Sequence, residues 1–183
     1  MMSFQNPFWP GMPGAQGIAD LPKQIEAMTQ SFTDFLQAKM PPGPAQSMAS
    51  MNPPLEKVQP LVADLVSAHQ QLWQQMLRQP TDAPNTPVVP ELAKDRRFAN
   101  EAWSASPVYD YLRQAYLLIS RFLNGVSEVL PSEDKKETAR RRFLTQQFID
   151  ALAPSNFAAT NPEVIQKALQ TEGRSITEGI NNL

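Results

Sequence analysis

Proline decides what this chain can fold into. Of its 18 prolines, 14 lie within residues 1–90. Proline lacks a backbone N–H and clashes with the preceding helical turn, so it ends helices and is excluded from central strands. The leading half can therefore hold only the elements that fit between prolines. Residues 1–21, with Pro7, Pro10 and Pro13, read as disordered. Asp20 as cap and Pro22 in the first turn then suit a helix start. Ile25, Met28, Phe32, Phe35 and Leu36 follow at helical spacing and predict an amphipathic helix over about 22–39. Pro41, Pro42 and Pro44 end it, and residues 41–54 read as a linker. A second amphipathic helix is expected from Leu55 or Pro60 to Gln79, with the stripe Val58, Leu61, Val62, Leu65, Leu72, Trp73, Met76 and Leu77 and a glutamine-rich opposite face. Pro80, Pro84, Pro87 and Pro90 then make a stiff linker.

Composition changes where the prolines thin out. Residues 1–90 carry 10 of the 34 charged residues and all eight methionines, and residues 91–183 carry the other 24 charges. The expected organisation is a Pro/Gln/Met-rich region over 1–90, its two helices tethered by flexible linkers, and a compact helical domain over 91–183. In the second part Ser106 caps and Pro107 opens a long helix whose stripe runs Val108, Leu112, Ala115, Tyr116, Ile119, Phe122, Leu123 and Val126. Leu117 and Leu118 widen the stripe, which predicts two covered faces. After Pro131, Ser132 is the expected cap of the next helix, with Glu133 and Asp134 near its positive end. The apolar face expected there is Phe143, Leu144, Phe148, Ala151 and Leu152. Asn161 caps and Pro162 opens a short helix ended by Gly173 at C′, and Ser175 starts one more, inside which the chain stops. That stop suggests a cut end. No stretch alternates with period two, so the fold class is all-α.

The residues offer little chemistry. There is no cysteine, which removes disulfides, thiolate metal sites and a cysteine nucleophile. His69 is the only histidine; it lies among glutamines, without an Asp or Cys to orient it, and is expected on the solvent side of its helix. No zinc site and no cofactor are expected. Glu137, four residues before Arg141, reads as an ordinary surface pair. The run Lys135, Lys136, Arg140, Arg141, Arg142 reads as a solvated face, since acidic residues interrupt it and no aromatic platform adjoins it. A net charge of -2 also speaks against nucleic acid. The longest strongly apolar run, Ala115–Ile119, is far short of a membrane span of about 20 residues, and no basic segment leads into an apolar run as in a secretory signal.

Three blocks nevertheless carry a specific pattern. Residues 95–103 read Asp-Arg-Arg-Phe-Ala-Asn-Glu-Ala-Trp, residues 109–118 Tyr-Asp-Tyr-Leu-Arg-Gln-Ala-Tyr-Leu-Leu, and residues 148–163 Phe-Ile-Asp-Ala-Leu-Ala-Pro-Ser-Asn-Phe-Ala-Ala-Thr-Asn-Pro-Glu, of which the part from Pro154 is the most specific. Their order and spacing resemble the N-terminal region of class I polyhydroxyalkanoate synthases, over residues 91–183. That resemblance implies a parent enzyme that polymerises (R)-3-hydroxyacyl-CoA into polyester and releases CoA. It implies too that the chemistry belongs to a downstream α/β-hydrolase-like domain with a Cys, His and Asp, so this chain alone is expected to be non-catalytic. The implied roles are granule attachment, dimerisation, contact with granule-associated activator proteins and support of the catalytic domain, in the cytoplasm at polyester granules. A stand-alone granule coat or adaptor protein is the alternative.

Two groups of residues are candidates for those roles. Phe32, Phe35, Leu36, Leu61, Leu65, Trp73 and Met76 lie on weakly charged helices and could enter a polymer surface or meet a partner helix. Asp95, Arg96 and Arg97 suit capping or ion pairing, Phe98 and Trp103 suit apolar anchors, and Asn156, Phe157, Asn161 and Pro162 suit a turn and cap between helices. Together they either specify the fold or dock a catalytic domain.

Overall fold

The computed structural model describes residues 21–40, 53–77, 87–90, 94–132 and 134–174. They form five α-helices: α1 (Leu21–Lys39), α2 (Leu55–Leu77), α3 (Pro107–Val129), α4 (Lys135–Ala151) and α5 (Pro162–Gln170). Short 3-10 turns occupy Arg96–Phe98, Glu101–Trp103 and Pro154–Asn156. No strand occurs among the described residues, and the fold is all-α. Leu21, expected to be disordered, is instead the buried first residue of α1, while the rest of the expected disorder (1–20), the Asp20 cap, the linkers at 41–52 and 78–86, Glu133 and the last helix from Ser175 lie outside the described residues.

The chain forms two compact units. One comprises the described residues of Met1–Gln70 with Leu118–Leu152, the other those of Gln71–Leu117 with Ala153–Leu183. These units cut across the change of composition near residue 90.

In the first unit the stripe of α1 is spent on packing. Leu21, Ile25, Met28, Phe32 and Leu36 recur every three or four residues, and all are buried. Phe32 and Phe35 stack on Phe148 of α4, with ring centroids 5.4 and 4.9 Å apart. α2 begins at Leu55, the earlier of its two expected starts, and carries Pro60 inside it. Gly125 of α3 lets α2 come close: a Cβ there would lie 2.9 Å from Leu61 Cδ2. This packing explains a glycine in mid-helix, where it costs about 1 kcal/mol relative to Ala.

α4 departs from expectation. Asp134, not Ser132, is its N-cap, accepting from Lys136 N, while the Ser132 hydroxyl donates to the Asp134 carbonyl. The buried residues are Arg141, Thr145 and Ile149, whereas Phe143 is 62% exposed and Ala151 is exposed. Leu144, Phe148 and Leu152 are half-buried. The inward row holds because its polar members have partners. The Arg141 guanidinium donates to the carbonyls of Leu130 (3.1 Å) and Pro131 (3.3 Å), just past the end of α3. Thr145 Oγ1 donates to the Arg141 carbonyl and bonds Ser127 Oγ, 3.0 Å away. Arg140 donates to the Lys39 carbonyl at 2.7 Å, satisfying an orphan acceptor at the negative end of α1. Arg142 pairs with Glu128 on the surface. Three successive arginines thus take three directions, as about 100° of rotation per residue requires; of the expected solvated face, Lys135, Lys136, Arg140 and Arg142 are exposed and Arg141 alone turns inward. Burial lowers the pKa of Arg141, and the charges of Glu137 and Glu128 oppose that.

His69 is another correction. It is buried at 9% exposure, because 65, 69, 72 and 76 fall on one helical row and His69 sits between Leu65 and Leu72. Burial lowers its pKa below 6.5.

In the second unit α3 is covered on two sides, as expected. Tyr111, Gln114, Ala115, Tyr116 and Leu117 are all buried. Trp73 packs edge-on against Tyr111, 5.8 Å between centroids, and burial raises the Tyr111 pKa. Gln114, 1% exposed, straps residues 87–90 onto α3: its Oε1 accepts from Val88 N and its Nε2 donates to Asp110. Val89 beneath the strap is fully buried.

α5 begins as read, with Asn161 as cap and Pro162 in the first turn. Its end differs by one residue. Glu172 is the left-handed residue after the helix (φ 52), and Gly173 follows at φ 84. Gly173 N donates to the Ala168 carbonyl at 2.8 Å and Glu172 N to the Leu169 carbonyl at 3.3 Å. This is the Schellman pattern with Glu172 at C′.

Candidate functional site

The blocks at 95–103 and 154–163, some 60 residues apart in the chain, meet at Glu163. Each first builds its own local structure. Asp95 caps the turn Arg96–Phe98 by accepting from Arg97 N, and Asn100 caps Glu101–Trp103 by accepting from Ala102 N. These two short polar caps bend the chain twice within nine residues and turn Phe98 and Trp103 inward. Trp103 is fully buried and Phe98 is 3% exposed. Their rings meet edge-on at 4.9 Å; Tyr116 lies 5.8 Å from Phe98, and Tyr109 lies 6.3 Å from Trp103.

The second block staples itself. Thr160 Oγ1 donates to the Pro154 carbonyl (2.7 Å), and Asn161 Nδ2 donates to the Ser155 carbonyl (2.9 Å). Asn161 Oδ1 accepts from Glu163 N and Val164 N. This fixes Glu163 in the first turn of α5, where the helix dipole favours a carboxylate. Glu163 Oε1 then accepts from Trp103 Nε1 at 3.2 Å, and Oε2 from Asn100 Nδ2 at 3.0 Å. One carboxylate thereby satisfies the only polar atom of a buried tryptophan side chain and holds the two blocks together.

Arg97 closes the other side. Its guanidinium makes a forked pair with Asp95, Nε to Oδ1 at 3.0 Å and Nη2 to Oδ2 at 2.7 Å. Nη1 donates to the Tyr116 hydroxyl at 2.9 Å, and the group lies 5.1 Å from the Tyr116 ring centre. Burial pushes the Asp95 carboxyl up, but the hydrogen bonds and charge of Arg97 outweigh it, and the net shift is downward. The Asp95 hydrogen bond raises the Arg97 pKa against burial. Arg113 anchors the same turn, pairing with Asp110 at 2.6 Å and donating to the Phe98 carbonyl at 3.2 Å.

The sequence candidates fall into two sets. Of the docking set, Asp95, Arg97, Phe98, Trp103, Asn161 and Pro162 assemble in this second unit; Arg96 and Asn156 are exposed, and Phe157 is 38% exposed. Asn100, Tyr116 and Glu163 were absent from that set, although all three lie inside the quoted blocks. A carboxylate at the first turn of a helix paired with a buried tryptophan was the available signal. Of the stripe set, Phe32, Leu36 and Leu65 are buried, and Phe35, Leu61, Trp73 and Met76 are half-buried. Among the described residues no cluster of His, Cys, Asp or Glu is placed to hold a metal ion, and no helix is long and apolar enough to cross a membrane.

Residues 94–183 match the family model described as poly-beta-hydroxybutyrate polymerase (PhaC) N-terminus. Curated relatives agree. The chain is 35% identical over 112 residues to a poly(3-hydroxyalkanoate) polymerase of Methylorubrum extorquens, covering 61% of this chain and 18% of the relative. It is 34% identical over 112 residues to the poly(3-hydroxyalkanoate) polymerase subunit PhaC of Cupriavidus necator, with the same two coverages. For the PhaC subunit of Rhizobium etli the figures are 32% over 97 residues, 53% of this chain and 15% of the relative. The chain thus spans less than a fifth of the length of these relatives. No solved structure matches it.

Proposed function

Residues 94–183 belong to the poly-beta-hydroxybutyrate polymerase N-terminus family, and from that premise we propose that this chain serves polyester synthesis by contact, as a non-catalytic helical support for the catalytic part of a polymerase. The supporting observation is the Glu163 junction. Within one unit Glu163 engages Asn100, Trp103 and Asn161, and Arg97 engages Asp95 and Tyr116. Their arrangement joins the two blocks through side-chain hydrogen bonds and offers no nucleophile with its base. The parent reaction, transfer of hydroxyacyl groups from CoA to a growing polyester, is assigned to the remainder of such a polymerase.

The test uses the chain with a separately produced catalytic part of a polymerase. Co-elution of the two and a rise in the thermal stability of the catalytic part are the expected results; independent elution with no stabilisation rejects the proposal. Release of CoA from (R)-3-hydroxybutyryl-CoA by the chain alone, above background, rejects the non-catalytic reading.

Granule attachment is the second use we assign, on account of the weakly charged stripe Phe32, Phe35, Leu36, Leu61, Leu65, Trp73 and Met76. Each large apolar side chain moved out of water contributes about 1.5–3 kcal/mol. Since Phe32, Leu36 and Leu65 are buried in the folded chain, attachment through them requires α1 and α2 to unpack first. Co-sedimentation with polyester granules should therefore increase on mild destabilisation, and a chain that never pellets contradicts this use. Homodimer formation and activator contact belong to the same class of contact function.

A further inference from the structure

The outer face of α4 carries cations that its own folding does not use. Lys135 and Lys136 are the first two residues of the helix, at the end where the macrodipole favours anions. Both are exposed. At about 100° per residue, Lys136, Arg140, Phe143 and Gln147 fall on one row, opposite the buried row of Arg141, Thr145 and Ile149. Phe143 stands in that outer row 62% exposed. The carboxylates described around it are engaged: Glu128 pairs with Arg142 on the flank, Asp134 caps the helix, and Glu137 is half-buried with its charge acting on Arg141. Lys39, at the end of α1, brings a further exposed cation beside the row, because Arg140 donates to its carbonyl at 2.7 Å.

We propose that this face of α4 docks on an anionic phospholipid surface, with Phe143 entering the acyl boundary and Lys39, Lys135, Lys136 and Arg140 meeting the headgroup phosphates. Charge complementarity sets the sign of the partner, and the aromatic ring among the cations sets its kind: an interface that is anionic outside and apolar just beneath. From Lys136 to Gln147 the row is one helix ridge about 17 Å long, a shape that suits a flat surface. Lysine and arginine stems let their charges rise to the phosphates while Phe143 lies deeper. A single-stranded nucleic acid is held by successive stacked bases, and this row has a single ring to offer. The phosphates also relieve the two lysines of their unfavourable place at the positive end of the helix. No helix among the described residues is long and apolar enough to cross a bilayer, so the contact is peripheral. It lies apart from the buried stripe of α1 and works with that helix packed.

The test mixes the intact chain with vesicles of phosphatidylcholine alone, or of phosphatidylcholine and phosphatidylglycerol in equal parts. Sedimentation with the anionic vesicles is expected, about tenfold or more weaker on the neutral ones and in high salt. Lys135→Gln/Lys136→Gln and Phe143→Ala should each weaken it about tenfold, with the thermal midpoint unchanged because all three residues are exposed. The chain has no cysteine, so Phe143→Cys and Leu169→Cys each carry one polarity-sensitive fluorophore without background. Emission should shift to the blue on anionic vesicles at position 143, and a shift at 169 in its place overturns the proposal. Absence of binding, equal binding to both vesicle types, or full binding by the lysine variant overturns it too. Retention of a poly-aspartate peptide without any binding to vesicles also overturns it and assigns the face to an acidic protein.

Discussion

The two units tie distant parts of the chain together by different means. In the first, the longest tie runs from a side chain to a backbone carbonyl, Arg140 to Lys39, and Arg141 reaches Leu130 and Pro131 in the same way beside the side-chain pairs Thr145–Ser127 and Arg142–Glu128. In the second, the longest ties join side chains to side chains, Glu163 to Trp103 and Asn100, and Arg97 meets Tyr116 in the same way. A carbonyl is supplied by every residue, so the first kind of tie constrains one partner only. The second constrains both. This difference accords with the readable family pattern of the second-unit blocks, which lie within the residues 94–183 that match the family model.

Substitutions can break or sharpen this contrast. The largest expected loss is in the second unit: Trp103→Ala should cost about 3–5 kcal/mol by urea unfolding, because it empties a fully buried site and strands Glu163. Arg141→Met comes next, at about 1–3 kcal/mol, since it leaves two carbonyls without their donor. Arg142→Met, which removes only the ion pair of two exposed side chains, Arg142 and Glu128, should leave the unfolding midpoint unchanged; a loss equal to that of Arg141→Met would show that charge rather than position matters. Glu172→Gly should stabilise by about 1 kcal/mol by relieving the left-handed φ, seen as a higher thermal midpoint.

Acidity separates the units further. Both His69 in the first and Asp95 in the second have lowered pKa values, so each contributes stability that is present above its unfolded value and lost as pH falls. The windows differ. His69 acts below about 6.5 and Asp95 only below about 4. Unfolding measured from pH 7.5 to 5 should therefore weaken through the first unit alone, and His69→Gln should flatten that slope while Asp95→Asn leaves it in place.

Much of this fold was legible. The α1 stripe, the boundaries set by Pro107 and Pro162, the Asn161 cap and the two covered faces of α3 all follow from spacing and backbone chemistry. What was not legible depends on partners that periodicity does not carry. Arg141 and Thr145 turn inward because carbonyls and Ser127 await them, and Phe143 is turned out as a result. His69 reads as polar by residue type and as core by position, and position decided. At the candidate site the anchors Phe98 and Trp103 were evident from their type. The carboxylate that joins them to the second block was not, since Glu163 lies 60 residues from Trp103.

The interleaving of the units bears on how the chain is made. Neither unit is a continuous stretch: the first needs residues up to 152 and the second residues from 153 onward, while each also draws on residues before 118. On a ribosome, α1 and most of α2 must wait for α4 before Arg140 can reach Lys39, 101 residues behind it. The 95–103 block must wait longer, until Glu163 has cleared the exit tunnel. Through most of translation the nascent chain therefore leaves uncovered the apolar stripe of α1 that the finished protein buries.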